Sequence, residues 1–168
     1  MTTILIHENA LYPDRRHVRA GNPVSSFIAK KIFISADKQF AYGTTGRCIE
    51  EGEHTTYENI LRLCLQKAMV IGTVDEIDTS SVLDDEDREK LTKYGSWMVL
   101  TKTRSYAIYS SKTLNVTGIT NAMGTGKWFC CGMIAAGLSP EKALASLEDF
   151  DPHTGDGFDK ITAKQLRN

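Results

Sequence analysis

The chain has 168 residues, which suits one hydrophobic core, so the sequence predicts a single domain over residues 1–168. Hydrophobic residues make up 41% and charged residues 24%, close to the average of soluble globular proteins, which argues against a disordered chain or a membrane protein. Twenty Lys and Arg nearly balance twenty-one Asp and Glu, so no strong net field favours binding to nucleic acid or to an anionic membrane.

The amino terminus is predicted to be part of the fold. Residues Thr2 to Ile6 are β-branched or aliphatic, which indicates a strand almost at the start of the chain. Asn9 and Tyr12-Pro13-Asp14 carry turn chemistry, and a polar segment continues through Gly21-Asn22-Pro23, so a hairpin or tight loop is expected. The first residues lack the basic segment and long apolar run of a secretion signal, which makes the cytoplasm the default expectation.

A hairpin and a helix are predicted next. Two strand-like runs, residues 31–35 and 39–44, are joined by the polar Ala36-Asp37-Lys38, which is typical of an antiparallel hairpin. Gly43 and Gly46 are expected to open a helix. Over residues 57–70 apolar side chains recur at helical intervals, so one face of this helix should pack against a sheet. The expected face consists of Ile60, Leu61, Leu63, Cys64, Leu65 and Ala68.

An acidic run and four cysteines suggest metal chemistry but are better explained without it. Residues 75–89 carry eight acidic side chains and one basic side chain, Arg88, and residues 84–87 are placed to start a short helix. The run lacks the spaced oxygens and turn glycine of a calcium loop, so we interpret it as a solvated segment. The cysteines form no Cys-x-x-Cys pair, which favours buried free thiols over disulfides or zinc.

The second half of the chain alternates strands and helices in blocks. Residues 97–101, 106–109 and 114–117 are predicted to form a meander of three strands. An apolar helix is expected over residues 128–136, and a second helix should open at Ser139-Pro140-Glu141, with Ser139 as its cap. A last strand is expected within residues 158–163. This order favours an α+β fold, in which helices cover two antiparallel sheets, over βαβ units.

Thr2 is a candidate nucleophile. A terminal threonine carries a hydroxyl and, when its amine is free, its own general base. Methionine aminopeptidase normally removes Met1 before a small residue such as Thr, and that step would expose the amine. Taken alone, however, Thr2 is better explained as the start of a strand, so its chemistry depends on residues elsewhere in the chain.

Several short motifs, ordered along nearly the whole chain, resemble those of proteasome β-subunits and the bacterial HslV peptidase. In chain order they are Thr2-Thr3-Ile4, Asp14, Lys31-Ile32, Gly43-Thr44-Thr45-Gly46, Met123-Gly124-Thr125-Gly126, and Asp151 with Thr154-Gly155. Thr125 and Thr154 stand where the family usually has serine. Each motif is a short and common string, so the ordered set, and not any single motif, carries the resemblance.

The resemblance implies an N-terminal-threonine (Ntn) hydrolase of the peptidase type, with a four-layer αββα sandwich fold. In this family Thr2 would be the nucleophile, and Lys31 would set the local electrostatic field while Asp14 keeps it charged and oriented. Asp151 with Thr154 would hold the Thr2 amine, and Thr125 is a further catalytic candidate because it keeps a hydroxyl in the segment before the third helix. The backbone N–H of Gly46 would stabilise the oxyanion and Arg47 would help form the substrate pocket.

The resemblance also implies partners. We expect no metal or cofactor, a peptide or unfolded protein as substrate, a homo-oligomer, and an AAA+ unfoldase as a further partner. Two alternatives remain open: a catalytically silent proteasome-like scaffold or regulatory subunit, and an amidase that uses the same nucleophile on a small amide. The spacing from Thr2 to Asp14 is shorter than is typical of the family, which predicts a tightened first hairpin.

Overall fold

The fold is built from short strands and four helices within the residues that the computed structural model describes, which are 3–18, 26–71, 76–109 and 112–167. The strands are β1 (Thr3–His7), β2 (Ala10–Pro13), β3 (Arg16–Val18), β4 (Ser26–Ile28), β5 (Ile32–Ile34), β6 (Phe40–Thr44), β7 (Glu76–Asp78), β8 (Trp97–Thr101), β9 (Ser105–Tyr109), β10 (Thr113–Val116), β11 (Thr120–Gly124) and β12 (Ile161–Thr162). The helices are α1 (His54–Ile71), α2 (Asp85–Lys93), α3 (Lys127–Ala135) and α4 (Pro140–Leu147), with 3₁₀ turns at Thr79–Ser81 and Ala163–Gln165.

Two antiparallel sheets contain most of the strands. The first sheet has the strand order β11-β1-β2-β12, and the second has the order β5-β6-β8-β9-β10-β7. Strands β3 and β4 pair separately as a two-stranded ribbon. Strand β1 is internal to the first sheet, because it pairs with β11 on one side and with β2 on the other. The beginning of the described chain is therefore fixed from both sides.

Side-chain alternation along β1 fills two separate core layers. Ile4 and Ile6 belong to a cluster with Met98 of β8, so they face the second sheet. Leu5 belongs to a different cluster with Leu147 of α4, so it faces the helices. This division follows from the two-residue period of a strand, in which successive side chains point to opposite faces. Helices α3 and α4 therefore cover the outer face of the first sheet.

The outer face of the second sheet is covered by α1 and α2. Tyr42 of β6 and Trp97 of β8 are fully buried and share a cluster with Leu61 of α1 and Leu91 of α2. The indole N–H of Trp97 donates to the Leu91 carbonyl at 2.9 Å, which satisfies the one polar group of this ring. The layers thus run helix, sheet, sheet, helix, and the predicted α+β, four-layer αββα sandwich is confirmed.

Most elements with strong local signals form as predicted. The hairpin of β5 and β6 places Ile32 opposite Gly43, and β8, β9 and β10 form the predicted meander. The short helix α2 begins where the acidic run predicts, and the Asp84 side chain caps it by accepting from the Asp87 N–H. Ser139 caps α4 in the same way. None of the described helices is long and apolar enough to cross a membrane.

Three predictions for the first half of the chain are wrong. The turn signal at Asn9 is confirmed, since the β1–β2 turn lies at Glu8 and Asn9, but the turn predicted over residues 12–14 is wrong, because Pro13 ends β2, where a residue without an N–H is tolerated. Gly43 and Gly46 do not open a helix, since α1 begins only at His54. On α1, Leu63 is 45% exposed and does not belong to the buried face. The turn predicted at residues 21–23 lies outside the described residues.

Several strands were not predicted. Strands β2 and β3 lie in the segment interpreted as turns, and β4 follows it. Strands β7 and β11 were missed because each is defined by its partner strand rather than by an apolar pattern of its own. The predicted last strand shrinks to Ile161–Thr162, and Phe158 forms only an isolated bridge with Asp14. All four cysteines are free thiols, as predicted, but only Cys64 and Cys130 are buried.

Candidate active site

The β1–β2 hairpin returns the chain to the start of β1. Its turn consists of Glu8, with a φ of 52°, and Asn9, so His7 and Ala10 are paired directly. At the open end the Asp14 N–H donates to the Thr3 carbonyl at 3.0 Å, and the Thr3 N–H donates to the Asp14 carboxylate at 2.8 Å. The short sequence spacing therefore produces a tight hairpin, as predicted, with a carboxylate beside the first described residue.

Asp14 and Lys31 form a buried ion pair. The Lys31 ammonium donates to the two Asp14 carboxylate oxygens at 3.0 and 2.9 Å, and it also donates to the Arg16 carbonyl. The side chains are 3% and 1% exposed for Lys31 and Asp14. Burial lowers the pKa of Lys31, and the Asp14 carboxylate opposes this shift. The structure thus brings together two residues that the sequence placed 17 positions apart.

The two arginines that follow Asp14 have carboxylate partners of their own. Arg15 donates to Asp159 at 2.6 Å, and Arg16 forms an ion pair with Asp156 at 3.1 Å. Asp14 also accepts hydrogen bonds from backbone N–H groups, including that of Arg16 at 3.1 Å. Neither guanidinium is therefore needed to neutralise Asp14, and the pair with Lys31 is preserved.

A chain of hydroxyl groups begins at Thr3 and ends at Asp151. The hydroxyls of Thr3 and Thr154 are 2.8 Å apart, and Thr154 donates to Asp151 at 2.7 Å. Because the single proton of Thr154 is used in that bond, Thr3 must donate to Thr154. The Thr125 hydroxyl donates to the same oxygen of Asp151. The Gly126 N–H donates to the Thr3 hydroxyl at 3.0 Å and completes the chain.

Asp151 is held as a carboxylate by its donors. Its backbone N–H bonds to the Leu147 carbonyl at 2.8 Å, which fixes it just after α4, and the His153 N–H donates to its side chain at 2.9 Å. Burial alone would raise the pKa of Asp151, but the hydrogen bonds from Thr125, the His153 N–H and Thr154 lower it. The site therefore contains a second buried carboxylate with a fixed orientation.

The turn between β11 and α3 requires glycine. A Cβ atom on Gly126 would lie 2.7 Å from the Thr3 hydroxyl oxygen and 2.9 Å from Leu147, which is closer than side-chain packing permits. Gly124, the strand partner of Thr3, has a φ of 98°, a conformation that glycine adopts at little cost. The glycines of the predicted motif thus allow the backbone to approach Thr3.

The predicted oxyanion and pocket residues lie on the turn after β6. The Gly46 N–H donates to the Tyr94 carbonyl at 3.0 Å, so this group would bind an oxyanion only after that hydrogen bond opens. The Arg47 side chain is exposed and lines a narrow crevice with Lys31 and Phe33. The roles of Gly46 and Arg47 therefore stay predictions.

Two further residues complete the comparison with the sequence. Thr2, the predicted nucleophile, lies outside the described residues. Thr3 was predicted only as part of a strand, yet it is fully buried and connects Asp14 to the hydroxyl chain. Its place in the Thr2-Thr3-Ile4 motif could have indicated this role. A threonine that is buried at the start of a hydrophobic strand needs hydrogen-bond partners, and such partners would have to come from the other motifs.

Comparison with solved structures identifies the fold. By sequence, the chain matches no family model and has no significant match among curated proteins. Its structure is similar to eukaryotic HslV from Trypanosoma brucei, with a TM-score of 0.63 and 16% identity, covering 95% of this chain and 98% of that one. It is also similar to Thiobacillus denitrificans BPH, with a TM-score of 0.59 and 13% identity over 96% of both chains.

A second structure of the bacterial protein supports the same conclusion. Thiobacillus denitrificans BPH in complex with epoxomicin matches with a TM-score of 0.55 and 12% identity, over 95% of this chain and 96% of that one. Because the alignments span nearly the whole of each chain, the similarity concerns the complete sandwich and not a single motif. The chain therefore has the sandwich fold of HslV and the proteasome-like Ntn hydrolases.

Proposed function

We propose that the chain is a peptidase whose nucleophile is Thr2, exposed by the removal of Met1. The observation that carries this proposal is the hydrogen bond from the Thr3 N–H to Asp14, the same carboxylate that binds Lys31. Thr2 is joined to that nitrogen by a peptide bond. The proposed nucleophile is therefore the neighbour, in sequence, of the residue whose N–H binds the ion pair. An N-terminal hydroxyl and amine next to a buried ammonium are the parts that this chemistry needs.

The proposed reaction proceeds through an acyl-enzyme. The Thr2 hydroxyl oxygen attacks the scissile carbonyl carbon while its proton passes to the Thr2 amine. The tetrahedral intermediate expels the amine of the leaving peptide, which takes up that proton, and an ester to Thr2 remains. Water then attacks the ester with the same amine as base and releases the second product. The reaction consumes one water molecule and needs no metal or cofactor.

Each described site residue has a proposed role in these steps. Lys31 stabilises negative charge on the attacking oxygen, and Asp14 orients Lys31. Asp151, with the hydroxyls of Thr125 and Thr154, holds the Thr2 amine. Thr3 is a positioning residue, since its hydroxyl bonds to Thr154 and its N–H bonds to Asp14. For the turn after β6, we propose that Gly46 donates to the oxyanion once its bond to Tyr94 opens and that Arg47 borders the substrate pocket.

The first test is the intact mass of the purified protein before and after treatment with an epoxyketone such as epoxomicin. We expect loss of the Met1 mass and one adduct, absent from Thr2→Ala and retained in Thr2→Ser. Thr103→Ala, which changes an exposed threonine, is the matched control and should keep the adduct. Retained Met1 with no adduct would instead favour the silent scaffold or regulatory subunit.

Substrate class needs a separate assay. We expect the protein to cleave an unstructured polypeptide, such as casein, and short fluorogenic peptides, with every activity lost in Thr2→Ala. An adduct on Thr2 together with turnover of small amides alone would favour the amidase. Cleavage that survives in Thr2→Ala would show a contaminating protease and would leave the proposal without support.

We propose a homo-oligomer as the working form, supported by an exposed apolar surface on α3 and the segment after α4. Trp128 is 77% exposed, Phe129 52% and Phe150 61%, and the rings of Phe129 and Phe150 stack at 5.8 Å. Contiguous aromatic exposure of this kind commonly marks a protein interface. Light scattering should give a mass well above that of one chain, and Phe129→Glu should lower it. A monomeric wild type would refute this part.

An AAA+ unfoldase partner stays a prediction from the resemblance. If such a partner is used, degradation of a stably folded substrate should require ATP and the unfoldase, whereas cleavage of short peptides should not. Comparing these two substrates in a lysate fraction depleted of ATP tests the requirement directly. Equal rates of folded-substrate degradation with and without ATP would argue against the partner.

A further inference from the structure

A cavity of about 230 Å³ lies beside the candidate active site. One wall is formed by residues 121–124 of β11, and the facing wall includes Thr45 and Ser96. These two residues are tied together by a hydrogen bond from the Thr45 N–H to the Ser96 carbonyl at 3.0 Å. Lys127 and Trp128, at the start of α3, contribute to the lining. The cavity therefore lies between segments of both sheets.

The β11 wall of the cavity adjoins the candidate site. Gly124 is the register partner of Thr3, and Gly126 donates its N–H to the Thr3 hydroxyl at 3.0 Å. Across the cavity, Thr45 directly precedes Gly46, the proposed oxyanion donor. The proposed nucleophile precedes Thr3 by one residue, so a peptide whose scissile carbonyl binds there would pass close to the Gly124 wall of the cavity. A side chain next to the scissile bond therefore has this cavity within reach.

The cavity has the size and polarity for one polar side chain. Its volume is smaller than the roughly 300–1,000 Å³ that accommodates a drug-sized ligand. Among the described residues that line it, Lys127 alone carries a charge at neutral pH. The Ser96 hydroxyl and the Asn121 amide also line the cavity and can donate hydrogen bonds, although the amide uses one of its two N–H groups on the Tyr109 hydroxyl at 3.3 Å, and the Thr45 hydroxyl donates to the Ser96 carbonyl. The lining thus favours a ligand that accepts hydrogen bonds and carries negative charge.

The charge of Lys127 is not taken up by a carboxylate of the protein. Its ammonium lies 4.7 Å from the centre of the Trp128 ring, an arrangement that stabilises a cation but does not neutralise it. None of the ion pairs formed among the described residues includes Lys127. Lys127 therefore remains available to an anion that enters the cavity.

We propose that this cavity selects a carboxylate next to the scissile bond and that Lys127 determines the preference; the inference rests on the proposed peptidase activity. The carboxylate has two sources, which share the same chemistry. It belongs either to an Asp or Glu side chain within a peptide or to the terminal carboxyl group of a short peptide. Lys127 thereby acts in substrate selection and not in the bond-breaking steps.

The test compares matched peptides. One set carries Glu at each position around a mapped cleavage site with an amidated carboxyl end, a second carries Gln there, and a third carries Gln with a free carboxyl end. The wild type should show a kcat/KM about tenfold higher for a carboxylate peptide than for its neutral partner. In Lys127→Met this ratio should fall to about one, and Lys127→Glu should favour a Lys peptide. Lys142→Met, on the exposed face of α4, should keep the wild-type ratio.

Two results would overturn the inference. A wild-type ratio of about one for both carboxylate sources would do so, as would a ratio that survives in Lys127→Met. A neutral epoxyketone serves as the integrity control, since it should label Lys127→Met at the wild-type rate. If Lys127→Met is not labelled, the same peptides are compared in Lys127→Gln, whose side chain stays polar and therefore perturbs the site less than Met.

A binding measurement separates this inference from the proposed peptidase activity. Calorimetry with Thr2→Ala, which cannot turn over, should show tighter binding of the carboxylate peptide, and the difference should vanish in Thr2→Ala/Lys127→Met. If this binding difference is found but the wild type cleaves no peptide, the cavity's preference for a carboxylate is supported and the proposed peptidase activity is refuted. Cleavage without dependence on Lys127 would sustain the peptidase and reject the cavity as a selective site.

Discussion

The buried Asp14–Lys31 pair makes a quantitative prediction about stability. Removing one partner of a buried ion pair typically costs about 3–5 kcal/mol, because the other charge is left in a poorly solvated place. In Lys31→Met the Asp14 carboxylate keeps backbone donors from Thr3, Arg16 and Gly155 at 2.8, 3.1 and 3.3 Å. We therefore expect a loss near the lower end of that range, about 3 kcal/mol in the free energy of unfolding.

Asp14→Ala should lower the free energy of unfolding by more than Lys31→Met does. It removes both carboxylate contacts of the Lys31 ammonium and also the acceptor of three backbone N–H groups, each of which costs about 1–3 kcal/mol when left unsatisfied. The double variant should be more stable than the sum of the two losses predicts, by about 2 kcal/mol, since no isolated charge remains. Urea unfolding followed by circular dichroism measures all three, provided that the m-value is unchanged.

Lys160→Met is the matched control for this series. Lys160 pairs with Glu141 at 3.0 Å, but the two side chains are 44% and 36% exposed, so solvent screening limits the expected loss to about 1 kcal/mol or less. Equal losses in Lys31→Met and Lys160→Met would refute the argument that burial makes the Asp14–Lys31 pair important. Strictly additive losses in the double variant would refute direct coupling between its members.

Three further predictions concern the surroundings of the pair. Thr3→Val should lower the free energy of unfolding by about 1–3 kcal/mol, because the Gly126 N–H loses its acceptor, whereas Thr3→Ser should stay near wild type in the same urea assay. Gly126→Ala should lower the free energy of unfolding by about 1–3 kcal/mol through overpacking. Gly132→Ala, in the open interior of α3, should raise it by up to about 1 kcal/mol. Similar shifts of the melting temperature in the two variants would contradict this contrast. The lowered pKa of Asp151 adds stability above its unfolded-state pKa, and this stability is lost as pH falls through the folded value. Thr125→Val removes a donor, so acid unfolding should begin at higher pH, and an unchanged midpoint in a circular dichroism titration would count against the assignment.

Local signals predicted the elements that depend on local chemistry. Helices α2 and α4 begin where Asp84 and Ser139 satisfy the free N–H groups of the first turn, and a cap of this kind can be recognised in a few residues. Strand β11 could not be recognised in this way. It is a strand because it pairs with β1, more than a hundred residues earlier in the chain, and no short window contains that information.

The candidate site likewise contains residues that the sequence predicted and one residue that it did not. Asp14, Lys31 and Asp151 are each common surface or turn residues when considered singly, and only the ordered resemblance predicted that they serve one site. The structure brings them together through the hairpin, the start of β5 and the segment after α4. Thr3 was missed because its role depends on a contact with Thr154, 151 positions away, which the pattern of β1 does not reveal.

The central position of β1 in its sheet has a consequence for biosynthesis. The ribosome delivers the chain from its amino end, so β1 emerges before its partner strand β11 and before the hydroxyl of Thr154. Contacts of such long sequence separation form late and slowly, because a long loop must close before they yield any free energy. A nascent chain therefore holds the first part of its candidate site unassembled until β11 and Thr154 have emerged, so maturation of the site is coupled to folding of the later half of the described chain.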